Sequence, residues 1–139
     1  MKKFRLHAGT YDCEYLLFIA PKEEGEKVVQ CIRDSWEDQT LKYDFSESRG
    51  CCIRKFNYIP VLWFPKHPKT PTEYGTIAHE CLHLTNYILL QWVDLPLTWE
   101  CEEAYTHLLA KIVRDVLTTL NEDTKKKPPL EYNVPKPEL

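Results

Sequence analysis

An α+β fold, with a small, mostly antiparallel sheet packed on helices, is predicted by three features of this 139-residue chain. Strand-like and helix-like runs follow one another in the order β-β-α-β-β-α-α, the two longest helical runs come last, and a turn-prone Gly9-Thr10 separates the first two strands as in a hairpin. At 43% hydrophobic and 12% aromatic residues the chain can fill one core but not two. One domain is therefore expected over residues 1–120, followed by a flexible tail over 121–139.

The first two strands are read at Lys3 to His7 and Asp12 to Ala20, the second containing Tyr15-Leu16-Leu17-Phe18-Ile19. From Lys22 to Trp36 the apolar Val28, Val29, Cys31 and Ile32 share one side with charges opposite, an amphipathic helix interrupted only by Gly25. Residues 37 to 49, rich in Asp, Ser and Glu, read as an exposed connection. Two β-rich runs follow, Cys51 to Phe56 and Tyr58 to Phe64, broken by Asn57 and followed by Pro65-Lys66-His67-Pro68. Pro60 has no amide hydrogen to give to a ladder, so its strand is expected at a sheet edge or bulge.

Thr70-Pro71-Thr72-Glu73 then supplies an N-cap threonine, proline at the first helical position and glutamate at the third: a capping box. The helix should run to about Trp92 and stop at Asp94-Leu95-Pro96. Apolar Ile77, Cys81, Leu84, Ile88 and their neighbours imply that it is largely buried. Thr98 can cap a last helix carrying Glu100, Glu102 and Glu103 in its early turns, where acidic residues suit the positive helix end. The short connection makes the two helices antiparallel neighbours.

Within the first of these helices lies His79-Glu80-Cys81-Leu82-His83, an HExxH pattern. Four residues along a helix amount to about 400° of rotation, so both imidazoles leave one face about a turn apart, a spacing that chelates a divalent zinc ion. Glu80, offset from that face, stays free of coordination and within reach of a water on the metal, which makes it the candidate general base. Histidines on a helix can also be merely solvent-facing or packed. Here the capped, apolar helix and the acidic helix after it favour a metal.

The order HExxH, tight turn, then a helix with Glu-Ala near its start resembles the gluzincin metallopeptidases, the thermolysin-like group. Residues 58 to 117 carry the resemblance, which extends to the short minigluzincins, to domains of the ImmA/IrrE type and to small phage-encoded proteins. It implies a minimal zincin-like fold and a zinc cofactor held by His79, His83 and Glu103, the last in Glu103-Ala104-Tyr105-Thr106-His107. It also implies hydrolysis of a peptide or protein substrate, with Glu80 moving the proton. His107 stands where the family usually has aspartate to orient a ligand histidine. It could orient a ligand, replace Glu103 as third ligand as in SprT-like proteins, or be a bystander. Tyr105, Tyr74 and His107 are the candidates for steadying an oxyanion. A zinc-binding regulatory or host-interaction module without catalysis is the other class. If the family layout holds, the strand at Tyr58 to Phe64 is the edge on which an extended peptide docks, unless its proline blunts it.

On the helix wheel, Trp99, Leu108, Leu109, Ile112, Val116 and Leu120 place the core side, with Glu103, Thr106, His107 and Ala110 in a stripe beside it and Glu102 further toward water. Six cysteines, Cys13, Cys31, Cys51, Cys52, Cys81 and Cys101, contain no C-x-x-C and are expected as structural thiols. Adjacent Cys51 and Cys52 in a strand should face opposite ways.

Net charge −3 and a scatter of lysines up to Lys125-Lys126-Lys127 predict no nucleic-acid partner. The chain has no twenty-residue apolar run and no signal-peptide h-region, so no membrane partner and a cytoplasmic location are expected. Neither a GxSxG nor a phosphate-binding glycine loop is present. In the tail, Leu130-Glu131-Tyr132 is a segment that could occupy the cleft.

Overall fold

A computed structural model describes residues 1–125. The elements appear in the predicted order: β1 (Lys2–His7), β2 (Glu14–Ile19), α1 (Gly25–Trp36), β3 (Cys51–Ile53), β4 (Val61–Phe64), α2 (Pro71–Asn86) and α3 (Glu102–Thr124). The four strands form one mixed sheet in the order β1-β2-β4-β3. β1 pairs antiparallel with β2 and β3 antiparallel with β4, while β2 and β4 run parallel, so two of the three pairings are antiparallel.

The sheet divides two apolar layers, and the alternation of side chains along β2 assigns residues to each. Leu16, Phe18 and Ala20 face α1 with Val61 and Trp63, packing on Val28, Val29, Ile32 and Trp36. Tyr15, Leu17 and Ile19 face the other way with Leu62 and Phe64, against Ile77, Cys81 and Leu84 of α2 and Leu108, Ile112 and Val116 of α3. β2 is covered on both faces, which is why it reads as a continuous apolar run, whereas β1 alternates half-buried and exposed positions. Two indoles enter the layers with their N–H satisfied: Trp63 donates to the Ala20 carbonyl at 3.0 Å and Trp36 to that of Ile59 at 2.7 Å.

One topological expectation is overturned. The strand after Pro60 is not an edge: β4 lies between β2 and β3, and the rim on this side is the three-residue β3. Pro60 escapes the conflict by standing just before β4, where only its carbonyl is used, accepting the Leu16 amide at 3.0 Å. The parallel partner β2 needs a crossover, and α1 with the 37–49 segment provides it.

The capping box is present in full: Glu73 N–H donates to the Thr70 hydroxyl, and Thr70 N–H to the Glu73 carboxylate. α2 passes without a break into a π-helical turn, Tyr87–Trp92, that ends where Asp94 takes a positive φ of 60°. Only one face of α2 is buried; Ala78, His79, Leu82 and, in the π turn, Leu90 are exposed, so the helix is amphipathic and not enclosed.

The last helix begins with a 3-10 turn at Trp99–Cys101. Its core face is Tyr105, Leu108, Ile112, Val116 and Leu120. Trp99, expected on that face, is 88% exposed, because it precedes α3 and does not share its phase. The helix continues to Thr124, past the boundary expected at Leu120. Asp123 anchors this end, accepting from Lys2 Nζ and meeting His67 Nε2, each at 2.8 Å. The Leu130-Glu131-Tyr132 segment lies outside the described residues. All six cysteines are free thiols, with Cys51 buried and Cys52 partly so.

Candidate metal centre

The structure brings His79, Glu80 and His83 together on α2. Among the described residues they are the potential metal ligands whose donor atoms all lie within 4.8 Å of one another. The imidazoles meet Nε2 to Nε2 at 3.2 Å, with ring planes 78° apart. Two imidazole nitrogens bound at about 2.0–2.1 Å to one tetrahedral zinc would stand roughly 3.4 Å apart, so the pair already has the bite a zinc ion needs. Two nitrogen donors and a nearby carboxylate are also a donor set that zinc accepts.

The three side chains differ in their surroundings. His79 is 66% exposed and Glu80 only 12%, with His79 Nε2 and Glu80 Oε2 3.8 Å apart. Burial pushes the Glu80 carboxyl above its ordinary range, against the opposing pull of His79, of Arg54 and of the Cys52 backbone amide. His83 is held below the usual imidazole range by desolvation and by the positive charges of Arg54 and His79, which favours the neutral form that binds metal. β3 and its neighbour Arg54 therefore form one side of the site, packed beside α2.

Glu103 and His107 are not members of this group. They pair with each other one turn apart on α3, Glu103 Oε2 to His107 Nε2 at 3.1 Å, and both side chains stand in solvent, 84% and 79% exposed. The stripe expected beside the core therefore faces water, since Tyr105, lying between them in sequence, takes the buried face. The Tyr105 hydroxyl donates to the Leu95 carbonyl at 2.6 Å and pins the connection between α2 and α3. Tyr74 is half-exposed and lines a hollow with His67, Leu117 and Asn121, one that neither His79 nor His83 lines.

Two neighbours of the site were not foreseen. Arg54 acts on both Glu80 and His83, and the Tyr43 phenol feels the charge of Glu80. Both are distant in sequence from the HExxH pattern. Only the placement of β3 at the rim beside α2 would have revealed them.

These residues define a candidate metal site: two histidines at chelating distance and a desolvated carboxylate one residue from the first. No helix among the described residues is long and apolar enough to cross a membrane. Compared with known proteins, the chain matches no family model, no curated protein and no solved structure.

Proposed function

We propose that this chain is a zinc-dependent peptide-bond hydrolase in which His79 and His83 hold the metal and Glu80 moves the proton. The observation that supports this reading most is the 3.2 Å Nε2 pair with a desolvated Glu80 beside it. When bound, zinc supplies a water acidified toward neutrality and a Lewis acid for the scissile carbonyl.

The chain's own groups supply the rest. Glu80, made more basic by burial, takes a proton at its carboxylate and returns it to the departing amine. Arg54, whose charge acts on Glu80 and His83, is the group proposed to offset negative charge developing on the carbonyl oxygen. The rim strand β3, in place of the strand expected to do so, offers an edge to an extended peptide.

Glu103 is the third ligand in this reading. Its support is the spacing from His83, the packing of α3 on α2 and an exposed side chain tied only to His107, a partner that costs little to leave. His107 is the substitute donor of an SprT-like arrangement. Zinc content of Glu103→Ala against His107→Ala decides between them.

A second reading has its own observation. Glu80 itself completes the cluster of three donor atoms, and a metal coordinated by His79, Glu80 and His83 would occupy the base and leave a metal-binding module without catalysis. Glu80→Gln separates the two. A hydrolase keeps zinc and loses cleavage of a casein or peptide substrate, whereas a site coordinated by Glu80 loses zinc affinity.

A further inference from the structure

One turn of α2 beyond His83, where the helix passes into its π turn, stands Tyr87, a buried side chain with a polar tip. Its hydroxyl donates to the Lys55 carbonyl at 2.8 Å and lies 3.2 Å from that of Tyr58, so a single O–H bridges both ends of one turn in the β3–β4 connection. Tyr58 N–H closes that turn on the Lys55 carbonyl at 2.9 Å, and Asn57 within it takes a positive φ of 73°.

A three-residue strand such as β3 supplies few ladder bonds with which to hold this connection. Side chains from elsewhere fix it instead. Lys55 Nζ meets the Asp38 carboxylate beyond α1 at 2.8 Å, and the Trp36 indole donates to the Ile59 carbonyl at 2.7 Å. Those two anchors come from the α1 side of the sheet. Tyr87 comes from the helix that carries the histidines, and it joins the connection to that helix.

The residue that this turn carries beside the histidines is Arg54, directly before Lys55. Its positive charge is felt by Glu80 and His83 alike. An exposed arginine has many rotamers open to it, so its main chain must be held for the charge to act in one place.

We propose that Tyr87 is a positioning residue of the metal site: its hydroxyl tethers the 55–58 turn to α2 and so keeps the Arg54 guanidinium beside His83 and Glu80. The inference rests on the two-histidine metal site and not on peptide cleavage. It gives that site a fixed positive charge from the sheet, which opposes a bound cation and favours an anion gathered there. Such a charge has a signature that packing alone does not produce, because its removal makes zinc bind more tightly.

The test measures the zinc affinity of the full chain by competition with a chromogenic chelator, at low and high salt and at a pH above the imidazole range. Arg54→Gln, Tyr87→Phe and the double variant are compared. Arg54→Gln should bind zinc about threefold to tenfold more tightly at low salt, and the gain should shrink at high salt. Tyr87→Phe, which keeps the ring and removes the tether, should give about a twofold to threefold gain of the same salt dependence. It should add nothing in the Arg54→Gln background, as expected of two residues that act through one charge.

An unchanged or weaker affinity in Tyr87→Phe, or a gain that persists in the Arg54→Gln background, overturns the positioning role. In the unsubstituted protein without metal, the Tyr87 hydroxyl proton should exchange slowly with water and show nuclear Overhauser contacts to residues 55–58. Free exchange of that proton overturns the tether even where Tyr87→Phe fails to fold. Zinc that binds through His79 and His83 but ignores both substitutions removes this inference alone, whereas a chain that binds no zinc removes the metal site itself.

Discussion

His79 and His83 hold their Nε2 atoms 3.2 Å apart, one turn from each other on a helix whose start is fixed by a complete capping box. A chelating pair that is already set requires little ordering when an ion arrives. Zinc should bind at one equivalent per chain, and at a hundredfold excess over its dissociation constant it should add about 2.7 kcal/mol of stability. A thermal melt with and without chelator measures this. Failure of His79→Ala and His83→Ala to abolish the shift would place the metal elsewhere.

The desolvated Glu80 gives a pH signature in the metal-free protein. Its folded pKa lies above the ordinary value of 4.5, so the folded state binds the proton more readily than the unfolded one. Stability should therefore fall as pH rises from about that ordinary value through the elevated one, and Glu80→Gln should flatten this slope. Denaturant titrations at a series of pH values test it. An identical slope in the variant would show that Glu80 is not the group responsible.

Glu80→Gln should also lower cleavage by about 10² to 10⁴-fold while zinc content stays at the unsubstituted level. Turnover and metal analysis on one preparation suffice.

Gly75 predicts a gain in stability. Because nothing surrounds its missing Cβ, Gly75→Ala should stabilise the fold by roughly 0.5–1 kcal/mol. Equilibrium unfolding gives the quantity. A destabilised variant would mean that the glycine serves the helix.

At the far end of α3, Asp123 ties the helix to Lys2 and His67, and those partners hold its carboxyl below the usual range, Lys2 contributing most. A depressed folded pKa means that this contribution is complete above the ordinary aspartate value and is lost as pH falls through the folded one. Asp123→Asn should therefore weaken the protein at neutral pH and differ less from the unsubstituted chain in acid. Stability curves of the two at pH 7 and pH 3 decide the matter.

What the sequence made legible was whatever is encoded locally. The capping box, the helix phase and the i,i+4 spacing of the histidines depend on neighbours within a turn or two, and all appear as read. Element order survived for the same reason. The pairing of β4 with β2 did not, because a run of Val61, Leu62, Trp63 and Phe64 looks the same at a rim as in the middle, and Pro60 pointed to the rim. Glu103 was placed by analogy of spacing. Its exposure follows from Tyr105 taking the buried face of α3, which helical periodicity alone left undecided. Arg54 and Tyr43 reach Glu80 only through tertiary placement, and no local pattern announces them.

The brevity of β3 has a consequence for how the molecule behaves among its own copies. A border of three residues offers too few free amides and carbonyls to zip a foreign strand along its length, so the sheet is guarded against fibril-like growth on that flank. For the peptide substrate proposed above, the same brevity would allow only a short-lived grip.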